Sequence, residues 1–328
     1  MSHDAVLGID VAKDTFVVAL LLGERKLSGE FANSQEGFLR LGRWLEKHKA
    51  KACHVCLEAT GRYWEDLALT LHEQGQTVSV VNPARIASYA KSQLCRNKTD
   101  ALDAELIARF CQREEPPAWT PPAPEVRQLQ AMTRHLQALI ANRTQEQNRL
   151  SSLPPSLAVK MLIEGHLQFL EAQISELERQ IAEHIDNHPS LRRERELLTS
   201  IPGFGKATAA RLVAENISAF RSARSLSAQG GLTPRIRQSG SSLHSRGSIC
   251  RTGSDRLRSS LYFCALTAMR HNPIIARFAQ RLRERGKPKM VIVAACMRKL
   301  LCLAWGVLRS GVPFDPNYAP HRLPETCA

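Results

Sequence analysis

The stretch Arg96-Asn97-Lys98-Thr99-Asp100-Ala101-Leu102-Asp103 sets two carboxylates three residues apart, directly after two cations and an asparagine. If a helix opens at Asp100, the i, i+3 spacing puts both acids on one face, one turn apart, where they can bind a divalent cation jointly. The plainer reading is a helix start. Thr99 or Asp100 would then be the N-cap and Asp103 a first-turn acid favoured by the helix dipole. Two further carboxylates weigh on this choice: Asp10 closes the first apolar run of the chain, and Glu58 closes the run from Ala52.

The elements that must position these acids follow from periodicity. Ala5 to Asp10, Thr15 to Leu22 and Lys26 to Ala32 read as three strands, separated by the turn-like Val11-Ala12-Lys13-Asp14 and by Gly23-Glu24. Asn33-Ser34 then caps a helix in which Phe38, Leu41 and Leu45 recur at helical spacing. Ala52 to Glu58 is the fourth strand, Tyr63 to His72 an amphipathic helix, and Thr77 to Val81 a fifth strand stopped by Asn82-Pro83. Helical pattern resumes through Ile86 and Tyr89, and again from Asp100 to Cys111. The order βββαβαβα suits an α/β, ribonuclease-H-like domain, in which the first and fourth strands are neighbours and the last helix packs over them. Asp10, Glu58, Asp100 and Asp103 would then converge, and Mg²⁺ bound through oxygen is the usual resolution of their repulsion. Two such ions about 3.5–4 Å apart serve phosphoryl transfer by activating the attacking oxygen and stabilising the leaving one.

The net charge of +14 is unevenly spread. Residues 1–115 carry 15 basic and 16 acidic side chains, residues 116–198 carry 9 and 10, and residues 199–328 carry 21 and 5. The whole excess therefore lies in an Arg-rich last third, which suits bidentate phosphate contacts and makes nucleic acid the first partner to consider. The nine cysteines lack a framework-like spacing and are expected as reduced thiols in a cytosol. Cys53-x-x-Cys56 lies in a strand-like run, where residues three apart face opposite ways, so a shared metal is not expected. No signal peptide is expected, since Asp10 and Lys13 interrupt the early apolar run. The run from Met290 to Val307 carries Arg298 and Lys299 near its middle and reads as a buried helix rather than a membrane span.

Pro116-Pro117 and Pro121-Pro122 mark residues 116–124 as an extended linker closing a first domain at 1–115. In 125–198, Leu129, Met132, Leu136 and Ile140, then Leu167, Leu170, Ile174, Leu177 and Ile181, keep a 3,4 alternation on either side of Pro154-Pro155. Two antiparallel helices or a dimerising coiled coil fit that pattern. His184 and His188 are spaced as an i, i+4 metal pair without an evident third ligand, and read as a solvated helix end. In the third region, 199–328, Ile201-Pro202-Gly203-Phe204-Gly205-Lys206 has the form of a helix-hairpin-helix turn. Its glycines allow a tight turn, and the following helix offers N–H groups, with Lys206, to a phosphate. Gly230-Gly231-Leu232-Thr233-Pro234-Arg235-Ile236-Arg237-Gln238-Ser239-Gly240-Ser241-Ser242 follows, with Arg246 and Arg251 beyond it. By composition this is either a loop that grips phosphate or one whose serine attacks it. Three helices, Cys250 to His271, Asn272 to Arg285 and Lys287 to Leu308, complete a mainly α region.

Taken together, Gly8-Ile9-Asp10, Glu58-Ala59-Thr60-Gly61, Arg96 to Asp100 with Asp103, Ile201-Pro202-Gly203 and Gly231-Leu232-Thr233-Pro234-Arg235 leading to Ser239-Gly240 resemble the DEDD transposases of bacterial insertion sequences over essentially the whole chain. That family includes bridge-RNA-guided recombinases and a pilin-gene invertase. The resemblance implies a RuvC-like domain whose Asp10, Glu58, Asp100 and Asp103 hold Mg²⁺, a coiled-coil middle, and a C-terminal transposase domain with a catalytic serine. By motif position that serine is Ser239, with Ser241 and Ser242 in the same loop. It further implies a covalent 5′-phosphoserine intermediate, double-stranded donor and target DNA, a guide RNA, a homo-oligomer and a bacterial cytoplasmic location without membrane attachment. Arg96, Lys98, Gly203, Gly205, Lys206, Arg235, Arg237, Arg246 and Arg251 are the expected nucleic-acid contacts. The competing expectations are a Mg²⁺-dependent nuclease or Holliday-junction resolvase that uses water, and a non-catalytic nucleic-acid-binding protein.

Overall fold

The opening apolar runs fold as β1 (Ala5–Val11), β2 (Thr15–Leu22) and β3 (Arg25–Ala32), an antiparallel meander. β4 (His54–Glu58) and β5 (Thr77–Val81) extend it in parallel from β1, giving a mixed five-stranded sheet of order β3-β2-β1-β4-β5. This is a computed structural model describing residues 5–93, 99–152, 157–235, 238–239, 243–244, 248–250 and 252–317. The chain divides into two compact units, Met1–Pro121 and Pro122–Ala328.

In the first unit the central strand β1 is covered on both faces, which is why its sequence is continuously apolar instead of alternating. Ala5, Leu7 and Ile9 pack with Phe38, Leu41 and Leu45 of α1 (Gln35–Lys47) and Leu67 and Leu71 of α2 (Glu65–Glu73). Val6 turns the other way, towards Ile86 of α3 (Pro83–Ser92) and Ala104, Ile107 and Cys111 of α4 (Asp100–Glu114). A fully buried side chain such as Leu7 contributes about 2 kcal/mol. The caps are local and follow from sequence: the Ser34 hydroxyl accepts from Gly37 N–H at 3.3 Å, and Asn82 Oδ1 accepts from Ala84 N–H at 2.8 Å ahead of Pro83. Cys53 and Cys56 join different apolar clusters, so they face opposite sides of the sheet as their spacing requires.

The proline-rich stretch is held against the sheet edge. Ser79 Oγ donates to Pro116 O at 2.8 Å, Trp119 N–H donates to Val78 O at 2.7 Å, and the Trp119 ring meets Trp64 edge-on at 5.7 Å. Backbone groups of β5 that would template another strand are partly covered in this way.

The second unit is mainly helical. α5 (Pro124–Ser152) and α6 (Leu157–Asn187) form an antiparallel pair whose seam buries Leu129, Leu136 and Leu139 against Leu170, Ile174 and Ile181. The His184–His188 pair departs from the solvated helix end expected. His184 is only 9% exposed and its Nε2 bonds Glu125 O at 2.9 Å, while His188 Nδ1 bonds His184 O at 2.6 Å. The buried His184 imidazole needs a partner and finds one that ties α6 to the start of α5, while the half-buried His188 ring folds back onto the last turn of α6 itself. α7 (Pro189–Thr199), α8 (Lys206–Ala214), a 3₁₀ turn at Ile217–Ala219 and α9 (Ala223–Gln229) lead to four short strands, β6 (Pro234–Arg235), β7 (Gln238–Ser239), β8 (Leu243–His244) and β9 (Ser248–Ile249). α10 (Asp255–His271), α11 (Pro273–Glu284) and α12 (Lys289–Ser310) complete the core. α10 starts five residues later than its apolar pattern suggested. Ser254 is its cap, accepting from Leu257 N–H at 3.1 Å, and Cys250 N–H is bonded instead to Thr233 O at 2.7 Å. α12 is long and apolar enough to cross a membrane by composition alone, but its Ile292, Cys296, Leu300, Leu301 and Ala304 lie in the core of this unit.

Candidate functional site

β1 and β4 run parallel with Ile9 opposite Leu57, so the acids that follow each, Asp10 and Glu58, stand side by side at the C-terminal ends of adjacent strands. Strand alternation puts both on the face that carries Val6, Gly8 and Cys56, the face covered by α4. The direction of α4 is fixed by two contacts. Cys111, near its C-terminal end, reaches His54 O at the start of β4 at 3.9 Å, and Ala104 and Ala108 lie over Gly8 in the middle of β1. The helix therefore runs antiparallel to both strands, and its first turn, with Asp100 and Asp103, lies at the end where β1 and β4 present Asp10 and Glu58.

Gly8 makes this crossing possible. A Cβ there would stand 2.2 Å from Ala104 O and 2.3 Å from Ala108 N, both backbone atoms, so only glycine lets helix and strand meet at this distance. The N-terminus of α4 is capped by Thr99, whose hydroxyl accepts from Leu102 N–H at 3.3 Å, leaving Asp100 and Asp103 as first-turn acids. Asp10, Glu58 and Asp103 are half-buried and Asp100 is exposed. The Glu58 carboxylate accepts from Thr60 Oγ1 at 2.6 Å.

Four carboxylates at one end of one face are a hard, all-oxygen donor set, suited to a cation such as Mg²⁺ that keeps several waters and takes one or two carboxylates. Among the described residues, no three His, Cys, Asp or Glu side chains stand close enough to form a ready-made metal cluster. The backbone thus brings the acids to a common place without drawing the side chains together.

Sequence reasoning missed the ion cluster beneath this turn. Glu105, 7% exposed and two residues after Asp103, is paired with Lys26 of β3 and accepts from Arg109 at 2.7 Å. Burial pushes its carboxyl up, but hydrogen bonds and charge from Lys26 and Arg109 outweigh burial and hold it below the usual carboxylate range. Its surface-like context, Ala104-Glu105-Leu106, carries no sign of a partner 79 residues away. Below it, the Cys111 thiol is pushed up by its hydrogen bond with Cys56 and by burial, and burial raises Cys53 to about 12, so these thiols are inert.

In the second unit, Ser239 ends β7, paired with Leu243 of β8, while Arg235 of β6 pairs with Ser248 of β9. The stem of this excursion is clamped. Ser254 N–H donates to Gln229 O at 2.6 Å, Arg258 Nη1 donates to Gly230 O at 3.3 Å, and a Cβ on Gly253 would meet Gln229 O at 2.4 Å. Gly253 and Arg258 escaped the sequence reading, since the requirement comes from a strand of chain more than twenty residues away. Arg96, Lys98, Arg237, Arg246, Arg251, Ser241 and Ser242 lie outside the described residues, as does the side chain of Ser239.

The two glycines of the 201–206 turn differ in role. Gly203, at φ +113°, has no room for a side chain, because a Cβ would lie 2.7 Å from Ala268 Cβ and 3.0 Å from Cys264 O on α10. Gly205 and Lys206 are exposed at the start of α8, with open space around Gly205. Fully buried Asn272 holds the turn by donating to Pro202 O at 3.3 Å while its Oδ1 caps α11.

Comparison with known proteins agrees along the chain. Residues 7–154 match the family model of IS110-type DEDD proteins, described as Transposase, and residues 195–280 match that described as Transposase IS116/IS110/IS902 family. The pilin gene-inverting protein of Moraxella bovis is 36% identical over 318 residues, covering 94% of this chain and 97% of the relative. The transposase for insertion sequence element IS1328 of Yersinia enterocolitica is 25% identical over 352 residues, covering 96% and 100%. A probable family 20 transposase of Pseudomonas aeruginosa is 27% identical over 305 residues, covering 81% and 86%.

Proposed function

This chain belongs to the IS110 family of DEDD transposases, and we propose that it cuts and rejoins DNA through a covalent phosphoserine. It is a DNA recombinase by family. Asp10, Glu58, Asp100 and Asp103 of a RuvC-like domain, 1–115, hold Mg²⁺, which supplies charge neutralisation at the reacting phosphate. Ser239 Oγ attacks the scissile phosphorus. The Oγ–P bond forms as the bond to the 3′-oxygen breaks, the serine proton leaves to solvent, and the 3′-oxygen takes up a proton. The product is a 5′-phosphoserine and a free 3′-hydroxyl. A second 3′-hydroxyl reverses the step to join a new strand, so the phosphodiester energy lost in hydrolysis is kept. Arg235, Arg237, Arg246 and Arg251 offset the phosphate charge around Ser239, and Arg96, Lys98, Gly203, Gly205 and Lys206 contact backbone. A guide RNA selects donor and target duplexes, and protomers act as a homo-oligomer in the bacterial cytoplasm, joined through the α5–α6 region.

The observation that supports this reading most is the antiparallel crossing of α4 over β1 and β4, which gathers acids from positions 10, 58, 100 and 103 at one end of one face. Ser239→Ala tests it. The phosphoserine reading expects loss of both strand cleavage and a denaturation-resistant protein–DNA adduct, whereas cleavage that survives without an adduct would establish the water-using resolvase instead. Mg²⁺-dependent breakage that persists in Asp10→Asn or Glu58→Gln would remove the acids from the mechanism. RNA sequenced from the purified protein tests the guide.

A further inference from the structure

Between α11 and α12 lies an open groove of about 530 Å³ lined by Ile274, Arg277, Phe278, Gln280, Arg281 and Lys299. Arg277 and Arg281 stand one helical turn apart on the exposed side of α11, and Lys299 approaches from α12. Among the described residues none of the three is ion-paired; Arg277 Nε donates only to Pro273 O, at 3.2 Å. The surrounding helices deepen the imbalance. From 273 to 310 there are nine Lys and Arg and a single carboxylate, Glu284, which accepts from Gln280 at 3.1 Å. Cations gathered this closely repel one another, a cost that a polyanion would relieve.

The groove floor tells which polyanion fits. The half-buried Phe278 ring has the Arg281 guanidinium 5.7 Å and the Lys299 ammonium 5.4 Å from its centre, so cations already occupy its surroundings. Single-strand recognition relies on aromatic platforms on which bare bases stack, and the ring lining this groove is taken. What the groove offers instead is a run of charge-assisted donors for phosphate oxygens, the sequence-independent part of duplex binding.

We propose that this α11–α12 groove is a second DNA-contact surface, in which Arg277, Arg281 and Lys299 grip the phosphate backbone of duplex DNA apart from the Ser239 loop. It rests on the reading that the chain acts on DNA. The groove sets affinity and salt dependence and takes no part in bond breakage.

The test titrates the full chain against a labelled 30-base-pair duplex of scrambled sequence at several KCl concentrations. With three phosphate contacts removed, Arg277→Gln/Arg281→Gln/Lys299→Gln should lower the slope of log affinity against log salt by about 2.7, and the exposed pair Arg277→Gln/Arg281→Gln alone by about 1.8. The double variant keeps the test open should the triple not fold. A charge-matched control on the first unit, Arg40→Gln/Arg43→Gln/Lys47→Gln, should change the slope by less than 1. An unchanged slope in the double variant, or an equal change in the control, overturns the proposal. So does groove-dependent binding seen with duplex RNA, single-stranded DNA or phosphatidylglycerol vesicles but not with duplex DNA. Ser239→Ala is run beside them and should keep the full slope while losing the adduct. A normal wild-type adduct with an unaltered slope in the groove variants therefore refutes the groove alone, and the reverse pattern refutes the phosphoserine alone.

Discussion

Gly8→Ala puts the placement of the acids to a direct test. The added Cβ would lie 2.2 Å from Ala104 O, 2.3 Å from Ala108 N and 2.8 Å from Ala108 Cα, where ordinary contact begins near 3.4 Å. All three are backbone atoms of a regular helix, so no side chain can yield, and α4 must lift from β1 by about 1 Å. Overpacking of this kind costs about 3 kcal/mol, which in a unit of 121 residues lowers the melting temperature by about 10 °C. Tryptophan fluorescence reads this unit preferentially, since Trp44, Trp64 and Trp119 lie in it and only Trp305 lies in the other. Well below its transition the variant should remain folded but lose about 100-fold in strand cleavage, because Asp100 and Asp103 move with α4 while Asp10 and Glu58 stay with the sheet. Gly42→Ala is the paired control. It lies inside α1 with nothing nearer than Gln74 Oε1 at 3.9 Å, and should gain about 0.5–1 kcal/mol from helix propensity. A Gly8→Ala protein with wild-type melting and wild-type cleavage would refute the close crossing and the acid cluster built on it.

Glu105→Gln should destabilise the first unit by about 2 kcal/mol at neutral pH, the size of a hydrogen bond to a charged group. Because Lys26 and Arg109 hold the folded carboxyl below its unfolded value of 4.5, the stabilisation is complete above pH 4.5 and is lost as pH falls through the lower folded value. The gap between wild type and variant, followed by acid titration of the same fluorescence signal, should therefore close below pH 4.5. A gap independent of pH would mean that the carboxylate charge is not what stabilises. Gly253→Ala would press a methyl group against Gln229 O and Gly231 N at 2.4 and 2.7 Å. It should cut covalent adduct formation at least tenfold while the far-ultraviolet helical signal persists; wild-type adduct yield would show that the stem does not position Ser239.

What sequence alone determined was local in its physics. Strands appeared as apolar runs, helices as 3.6-residue patterns, and caps at Asn33-Ser34 and at Thr99 or Asp100, because each depends on residues a few positions apart. The carboxylates at 10, 58, 100 and 103 and the basic last third were legible for the same reason: charge and spacing are written directly in the chain. Tertiary structure decided which remote segments meet. It alone fixed the Ile9–Leu57 register, the direction of α4, the burial of Glu105 against Lys26, and the clearances that demand glycine at 8, 203 and 253. It also buried the helix end that the sequence left solvated, by giving the His184 ring the Glu125 carbonyl. Each of these depends on distances between atoms far apart along the chain, and a backbone approach of that kind leaves no periodic trace in the residues that permit it.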